Sequence, residues 1–300
     1  MVKIERILCP TDLTPESDEA LRYAVALTRA YNANLLLLYC TQIKSAEAPI
    51  ENRSFSLDIG GLLEHALIHH LGLAQLCDLK WKALAIENVR NVGEAITHQA
   101  KIYCADLIVM RSRRRPRAAA LLGSTTETVS RSAPCPVLVT HPNELEWVGF
   151  STGEIDLRRV LVAHDFSSDS ELALKLGCSL AEEYQAEVHL LHVLDSAGHQ
   201  EPELAWSASS GGSAYTFVAS KLQRVVPKEA FLWCNVVTSV RCGKAYQEVL
   251  AYAKEHEIDL ICMGARGSDW SLGKLFGSNV DWVLRQAPCP VLVARPGTKA

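Results

Sequence analysis

The chain has 300 residues, 48% of them hydrophobic and 21% charged. This is an ordinary globular composition that excludes collagen-like, low-complexity and disordered classes and, at roughly 100–200 residues per domain, points to two domains. Thirty basic against 34 acidic residues leave a formal charge of -4, so no global basic field draws nucleic acid or an anionic membrane. The apolar run before Pro10 is too short for a secretory signal, and no stretch nears the ~18 apolar residues of a membrane helix. A cytoplasmic protein is expected, with its ten cysteines reduced, because disulfide frameworks belong to short secreted chains.

Taken in chain order, Ile7, Leu8 and Cys9 open a short apolar strand. The turn Pro10-Thr11-Asp12 follows, then helical spacing at Ala20, Ala24, Leu27 and Tyr31. Residues 35–38 are apolar in succession, as in a strand covered on both faces of a parallel sheet. The stretch 41–56 is polar and predicts a mobile loop. On the next predicted helix His65, His69 and His70 offer an i, i+4 pair but no third ligand, so no metal site is expected there. A third strand is predicted at 80–86, a third helix at 93–104, a fourth strand at 107–110 and a fifth at 137–139.

The same order then begins again. Arg6 to Asp12 is matched by Arg159 to Asp165 and Asp106-Leu-Ile-Val-Met110 by Asp259-Leu-Ile-Cys-Met263, each at an offset of 153. Arg131-Ser-Ala-Pro-Cys-Pro-Val-Leu-Val139 returns as Arg285-Gln-Ala-Pro-Cys-Pro-Val-Leu-Val293 at an offset of 154. A period this long marks a duplicated domain rather than a solenoid repeat. The expected division is 1–145 and 156–300, with a linker at 142–156 where Gly, Pro, Ser and charged residues break the apolar pattern. The second copy predicts strands at 160–162, 188–193, 231–237, 260–263 and 291–293, a helix carrying Leu172, Leu176 and Leu180, and another at 243–257. Its own polar loop falls at 196–213. Alternating strands and helices imply right-handed crossovers and a doubly wound sheet, whose ligands bind at the carboxyl edge near the switch in strand order.

After the fourth strand of the second copy the chain reads Gly264, two residues, Gly267, nine residues, Gly277 and Ser278. Glycines let backbone N–H groups approach a ligand, and Gly277-Ser278 opens a predicted helix whose free amino end favours an anion. That combination suits a polyphosphate. The alternative, that the glycines serve only a tight strand-to-helix connection, is the weaker one here because the spacing, the strand before and the helix after all agree. The loop is not a Walker loop, since Gly-Lys-Ser/Thr is absent, and it is not the dinucleotide fingerprint, which follows a first strand.

With the Pro-Cys-Pro-Val-Leu-Val endings and the Pro10-Thr11-Asp12 turn, this spacing resembles the universal stress protein family, in two fused copies over nearly the whole chain. The resemblance implies two flavodoxin-like α/β domains of the adenine-nucleotide α-hydrolase type. Each would be a doubly wound five-stranded parallel sheet, and the two would pack as a pseudo-dimer through their fifth strands. It also implies ATP, with a divalent ion such as Mg, as the ligand. Asp165 would stand against the adenine, Val193 would line the same pocket, Gly264 would lie by the ribose, and Gly267, Gly277 and Ser278 would hold the phosphates. From the residues alone, Asp165 is equally a turn or helix-capping carboxylate and Val193 equally plain core.

The first copy departs from the pattern. Met110-Arg-Ser-Arg-Arg-Arg-Pro-Arg117 stands where the loop glycines should be, although Asp12 and Gly123-Ser124 remain. This predicts a domain that has lost ATP, with Arg111, Arg113, Arg114, Arg115 and Arg117 forming either a solvated basic loop or a differently built anion site. Nucleic acid is disfavoured, since no aromatic residues are interleaved.

No Ser-His-Asp arrangement or Walker-type carboxylate accompanies the loop, so a nucleotide-dependent stress or regulatory module is expected rather than an enzyme, without assigned catalytic residues. His164 next to Asp165 is the tempting base. The alternatives are slow ATP hydrolysis or autophosphorylation, AMP transfer, or a ligand-free scaffold. Partners beyond an adenine nucleotide stay open: a protein partner and a homodimer are both compatible with the sequence, and a membrane is not expected.

Overall fold

The computed structural model describes residues 3–42, 61–65, 68, 78–112, 123–141, 146–149, 153–194, 214–267 and 278–296. The first half contributes β1 (Arg6–Thr11), α1 (Pro15–Ala30), β2 (Asn34–Gln42), β3 (Trp81–Val89), α2 (Val92–Tyr103), β4 (Leu107–Arg111), α3 (Ser124–Ser132) and β5 (Val137–Thr140). The second contributes β6 (Arg159–Ala163), α4 (Ser168–Tyr184), β7 (Glu187–Leu194), α5 (Ala214–Val225), α6 (Ala230–Trp233), β8 (Val236–Cys242), α7 (Ala245–Glu255), β9 (Leu260–Gly264), α8 (Ser278–Gln286) and β10 (Val291–Ala294).

The ten strands of the described residues lie in one sheet of order β3-β2-β1-β4-β5-β10-β9-β6-β7-β8. Within each half the pairings are parallel, as between β1 and β4 or β6 and β9. The halves meet where β5 pairs antiparallel with β10, Leu138 opposite Leu292. The result is two doubly wound five-stranded sheets joined edge to edge, so the fused chain makes within itself the contact of a dimer. Pairing these two fifth strands removes two sheet edges at once.

The apolar residues divide by face. One core gathers Leu27 of α1, Leu176 and Leu180 of α4 and the strand residues Leu138 and Leu292, and so runs across both halves. The opposite face gathers Ile96 of α2, Val129 of α3, Val249 of α7 and Val283 of α8. The central strands carry residues buried on both faces, such as Ile7 and Leu8 or Leu260 and Ile261, which is why they read as unbroken apolar runs. The repeated aspartates are structural. Asp106 Oδ2 accepts from the amides of Glu5 and Arg6 at 2.9 Å each, and Asp259 Oδ2 accepts from those of Arg158 and Arg159 at 2.9 and 2.8 Å. Each carboxylate thus ties the start of a fourth strand to the start of its first.

Some sequence expectations change. The segment between the halves, predicted as a linker, contains buried Trp147 and Val148. Trp147 packs edge-on against Tyr23 with ring centroids 4.8 Å apart, and its amide donates to the Tyr23 hydroxyl at 3.3 Å. The strand predicted at 231–237 begins at Val236, while Ala230–Trp233 is a helical turn. Four apolar residues in a row fit a buried strand and a helical turn equally well, and here Phe231, Leu232 and Trp233 face outward. Of the loop predicted at 41–56, Thr41 and Gln42 belong instead to β2; 43–56, the predicted loop at 196–213, His69 and His70 lie outside the described residues.

Candidate functional site

At the carboxyl edge of the second half, β6 and β9 lie side by side, Ala163 opposite Met263. This is the point where strand order reverses, and the loops leaving the two strands face each other there. After β6 the chain turns sharply. The Asp165 Oδ1 atom accepts from the Ser167 amide at 3.1 Å and its hydroxyl at 2.6 Å, Phe166 takes a left-handed φ of 63°, and Ser167 caps α4 by accepting from the Ser170 amide at 3.2 Å. Asp165 therefore holds a side-chain turn, with Ser167 as the helix cap.

The glycines after β9 have distinct tasks. A Cβ on Gly264 would lie 2.7 Å from the Ser170 amide nitrogen and 2.8 Å from the Asp169 carbonyl carbon. Real Cβ atoms do not come that close to backbone, so glycine is required here for the first turn of α4 to sit on the strand end. Among the described residues, a Cβ on exposed Gly267 would meet one atom, Asp165 Oδ2, at 2.8 Å. The structure thus brings Gly267 and the Asp165 carboxylate together across about 100 residues of chain. Val193 stands level with Asp165, each two residues past the pairing of Ala163 with Leu191. It is half-buried against the core of the α7 and α8 face. Ser278 is exposed and opens α8, whereas Gly277, Ser268 and Asp269 lie outside the described residues.

The spacing argument missed the brace on this loop. Arg266 lies between the two glycines, and Asp169 is buried in the first turn of α4. Asp169 Oδ2 accepts from the Arg266 amide at 3.2 Å and from Nε at 3.0 Å, while Oδ1 accepts from Nη2 at 3.3 Å. The Ser167 hydroxyl also lies 3.3 Å from the Arg266 carbonyl. A charged fork and two main-chain contacts pin the loop to the helix start. No local pattern announces a pair 97 residues apart.

Beside this edge, His164 is buried, and its Nδ1 accepts from the Phe166 amide at 3.2 Å. Burial pushes its pKa down to about 4, so the ring is neutral at pH 7 and its Nδ1 lone pair serves the turn. His192 Nδ1 donates to the His164 carbonyl at 2.7 Å. The Phe166 ring lies between the two imidazoles, with centroids 5.1 and 4.7 Å away, and Lys221 Nζ stands 3.9 Å from its centre. This aromatic and cationic wall was not foreseen.

In the first half Arg111 occupies the place of Gly264. Its side chain is 7% exposed, and its guanidinium is ion-paired with Glu19 of α1. The turn is nevertheless repeated, with Asp12 Oδ1 accepting from the Thr14 amide at 3.2 Å and its hydroxyl at 2.6 Å. Arg113, Arg114, Arg115 and Arg117 lie outside the described residues.

The model of the universal stress protein family matches this chain twice, over residues 3–141 and 156–295. The chain belongs to the universal stress protein family. It is 27% identical to the universal stress protein Slr1230 of Synechocystis sp. over 97% of its own length and all of that protein. It is also 31% identical to the universal stress protein Rv2623 of Mycobacterium tuberculosis, over 58% of its own length and 56% of that protein. Among solved structures, a universal stress protein from Archaeoglobus fulgidus superposes with a TM-score of 0.64 at 21% identity, covering 99% of this chain and all of that one. That likeness confirms the fold of a tandem universal stress protein. Among the described residues, no helix is long and apolar enough to cross a membrane, and the nine described cysteines are free thiols.

Proposed function

We propose that the second half of this universal stress protein holds an adenine nucleotide, ATP with a magnesium ion carried on its phosphates. The protein then acts as a nucleotide-dependent module of a cytoplasmic stress response. On this reading the chain divides into a domain at 1–145 without a working glycine loop and a domain at 156–300 with one. The observation that carries the reading is the meeting of Gly267 with Asp165 at the switch point. A loop backbone without side chain faces an acceptor carboxylate there, as an anionic ligand with an amino-substituted ring requires. Asp165 would receive the adenine amine, Val193 would wall the ring, Gly264 would flank the ribose, and Gly267, Gly277 and Ser278 would offer amides to the phosphates. Among the described residues no three carboxylate, histidine or cysteine side chains converge on a metal site, so the ion fits as a companion of the phosphates. The Arg111–Glu19 pair supports a first half without nucleotide, since a long side chain stands where the glycine would be.

Binding rather than catalysis is favoured because the His164 Nδ1 lone pair is taken by the Phe166 amide of its own turn. The test is the nucleotide content of the freshly purified chain, by acid release and chromatography, beside Gly267→Val and Gly277→Val. A single ATP per chain, absent from both variants, is expected. Two per chain would refute the loss of function in the first half, AMP formed from added ATP would point to an enzyme, and no nucleotide even with added ATP and magnesium would leave a scaffold.

A further inference from the structure

Where the halves join, an open cleft of about 540 Å³ lies between the two domains. One wall is the face of α2 bearing Thr97, His98 and Lys101, continued by Ser132; the other is Arg266 and Arg295 at the ends of the second-half loops. Thr97 and Lys101 are four residues apart and His98 and Lys101 three, so all three share a helix face. No carboxylate is among the described residues lining the cleft. We propose that this cleft is a binding site for a phosphate-bearing small molecule, held by Arg295 from the second half and by Lys101 and His98 from the first.

Arg295 carries the argument. It follows β10, and the pairing of Val293 with Val137 sets it beside the turn that enters β5. Its side chain lines the cleft and is only partly buried, while Nη1 itself is enclosed and makes no hydrogen bond to any described residue. Arg266, the neighbouring guanidinium, adds a like charge and already takes both oxygens of Asp169. Burial and then Arg266 disfavour the charged form of Arg295, with Asp169 favouring it less strongly, and an arginine does not give up its proton. A cation in that position is stabilised by an anion that can accept from a planar fork, and a tetrahedral oxyanion does so well. Lys101 and His98, exposed on the facing helix, supply further donors from the opposite wall. A space of this size admits more than the oxyanion itself, as small-molecule pockets typically do. The site requires both halves, and nothing in it depends on the glycine loop holding a nucleotide.

The experiment is a titration of the full chain with inorganic phosphate, followed by calorimetry and by ³¹P line broadening, on the wild type and on the Arg295→Gln, Lys101→Ala and Gly267→Val variants. Saturable binding is expected, weakened about 10-fold by Arg295→Gln and about 5-fold by Lys101→Ala, the loss of a charge-assisted donor in each case. Lys101 is exposed, so that variant tests the site without threatening the fold. Absence of saturable binding to the wild type would overturn the proposal. So would an affinity indifferent to both Arg295→Gln and Lys101→Ala, or one lost only with Gly267→Val, which would assign the phosphate to the glycine loop.

Discussion

The two halves share their strand order and several braces, and at the last residue of the fourth strand they part company. Both tie β4 or β9 to the first strand with an aspartate, Asp106 or Asp259. Both turn after the first strand on an aspartate, Asp12 or Asp165, with a left-handed residue next to it, Leu13 or Phe166. The position just before that aspartate even performs the same task with different chemistry. Thr11 Oγ1 accepts from the Leu13 amide at 3.0 Å, and His164 Nδ1 from the Phe166 amide at 3.2 Å. Then Gly264 in one half faces Arg111 in the other. The comparison separates scaffold from site: the aspartate turn persists where the glycines are gone, so it belongs to the fold, and the glycines distinguish the half proposed to bind a ligand.

The strongest way to break this comparison is to make the second half resemble the first. Gly264→Arg should remove the co-purifying nucleotide and lower stability by about 3 kcal/mol or more, because a side chain there drives against the backbone of α4. Urea unfolding and nucleotide content are the readouts, and a fully stable, nucleotide-bearing variant would refute the role given to the glycine. Where the halves agree, their variants should agree too. Asp106→Ala and Asp259→Ala each remove two charge-assisted hydrogen bonds and should each cost about 2–3 kcal/mol in urea denaturation. A clear inequality between them would show that the shared device is not equally used.

The difference between His164 and Thr11 should appear as a pH dependence. The pKa of His164 is lowered in the folded protein to about 4, so between that value and its ordinary one near 6.5 the unfolded chain binds the extra proton. Stability is then fully present above about pH 6.5 and falls by roughly 3 kcal/mol as pH drops to 4. His164→Thr, which copies the first half, should flatten that part of the profile in acid-unfolding curves. The smallest effect is expected of Arg111→Gly. Loss of the pair with half-buried Glu19 should cost about 1–2 kcal/mol, and nucleotide should not return to the first half, since the rest of its loop is not restored.

The sequence by itself determined the duplication, the alternation of strands and helices, the parallel sheets and the glycine spacing. These are carried by local periods, contiguous apolar runs and residues repeated at a constant offset. Its errors came where local pattern is ambiguous, as at Phe231 to Trp233, or where composition misleads, as in the polar segment that hides the buried Trp147. Only the tertiary structure decided which partner each conspicuous residue serves. The Asp169–Arg266 brace, the contact of Gly267 with Asp165 and the cleft lined by both Lys101 and Arg295 all join residues far apart in the chain or set on different halves. Such contacts leave no period for a local pattern to show, because they exist only once the parallel strands have brought their carboxyl ends to one edge and the fifth strands have joined the two sheets.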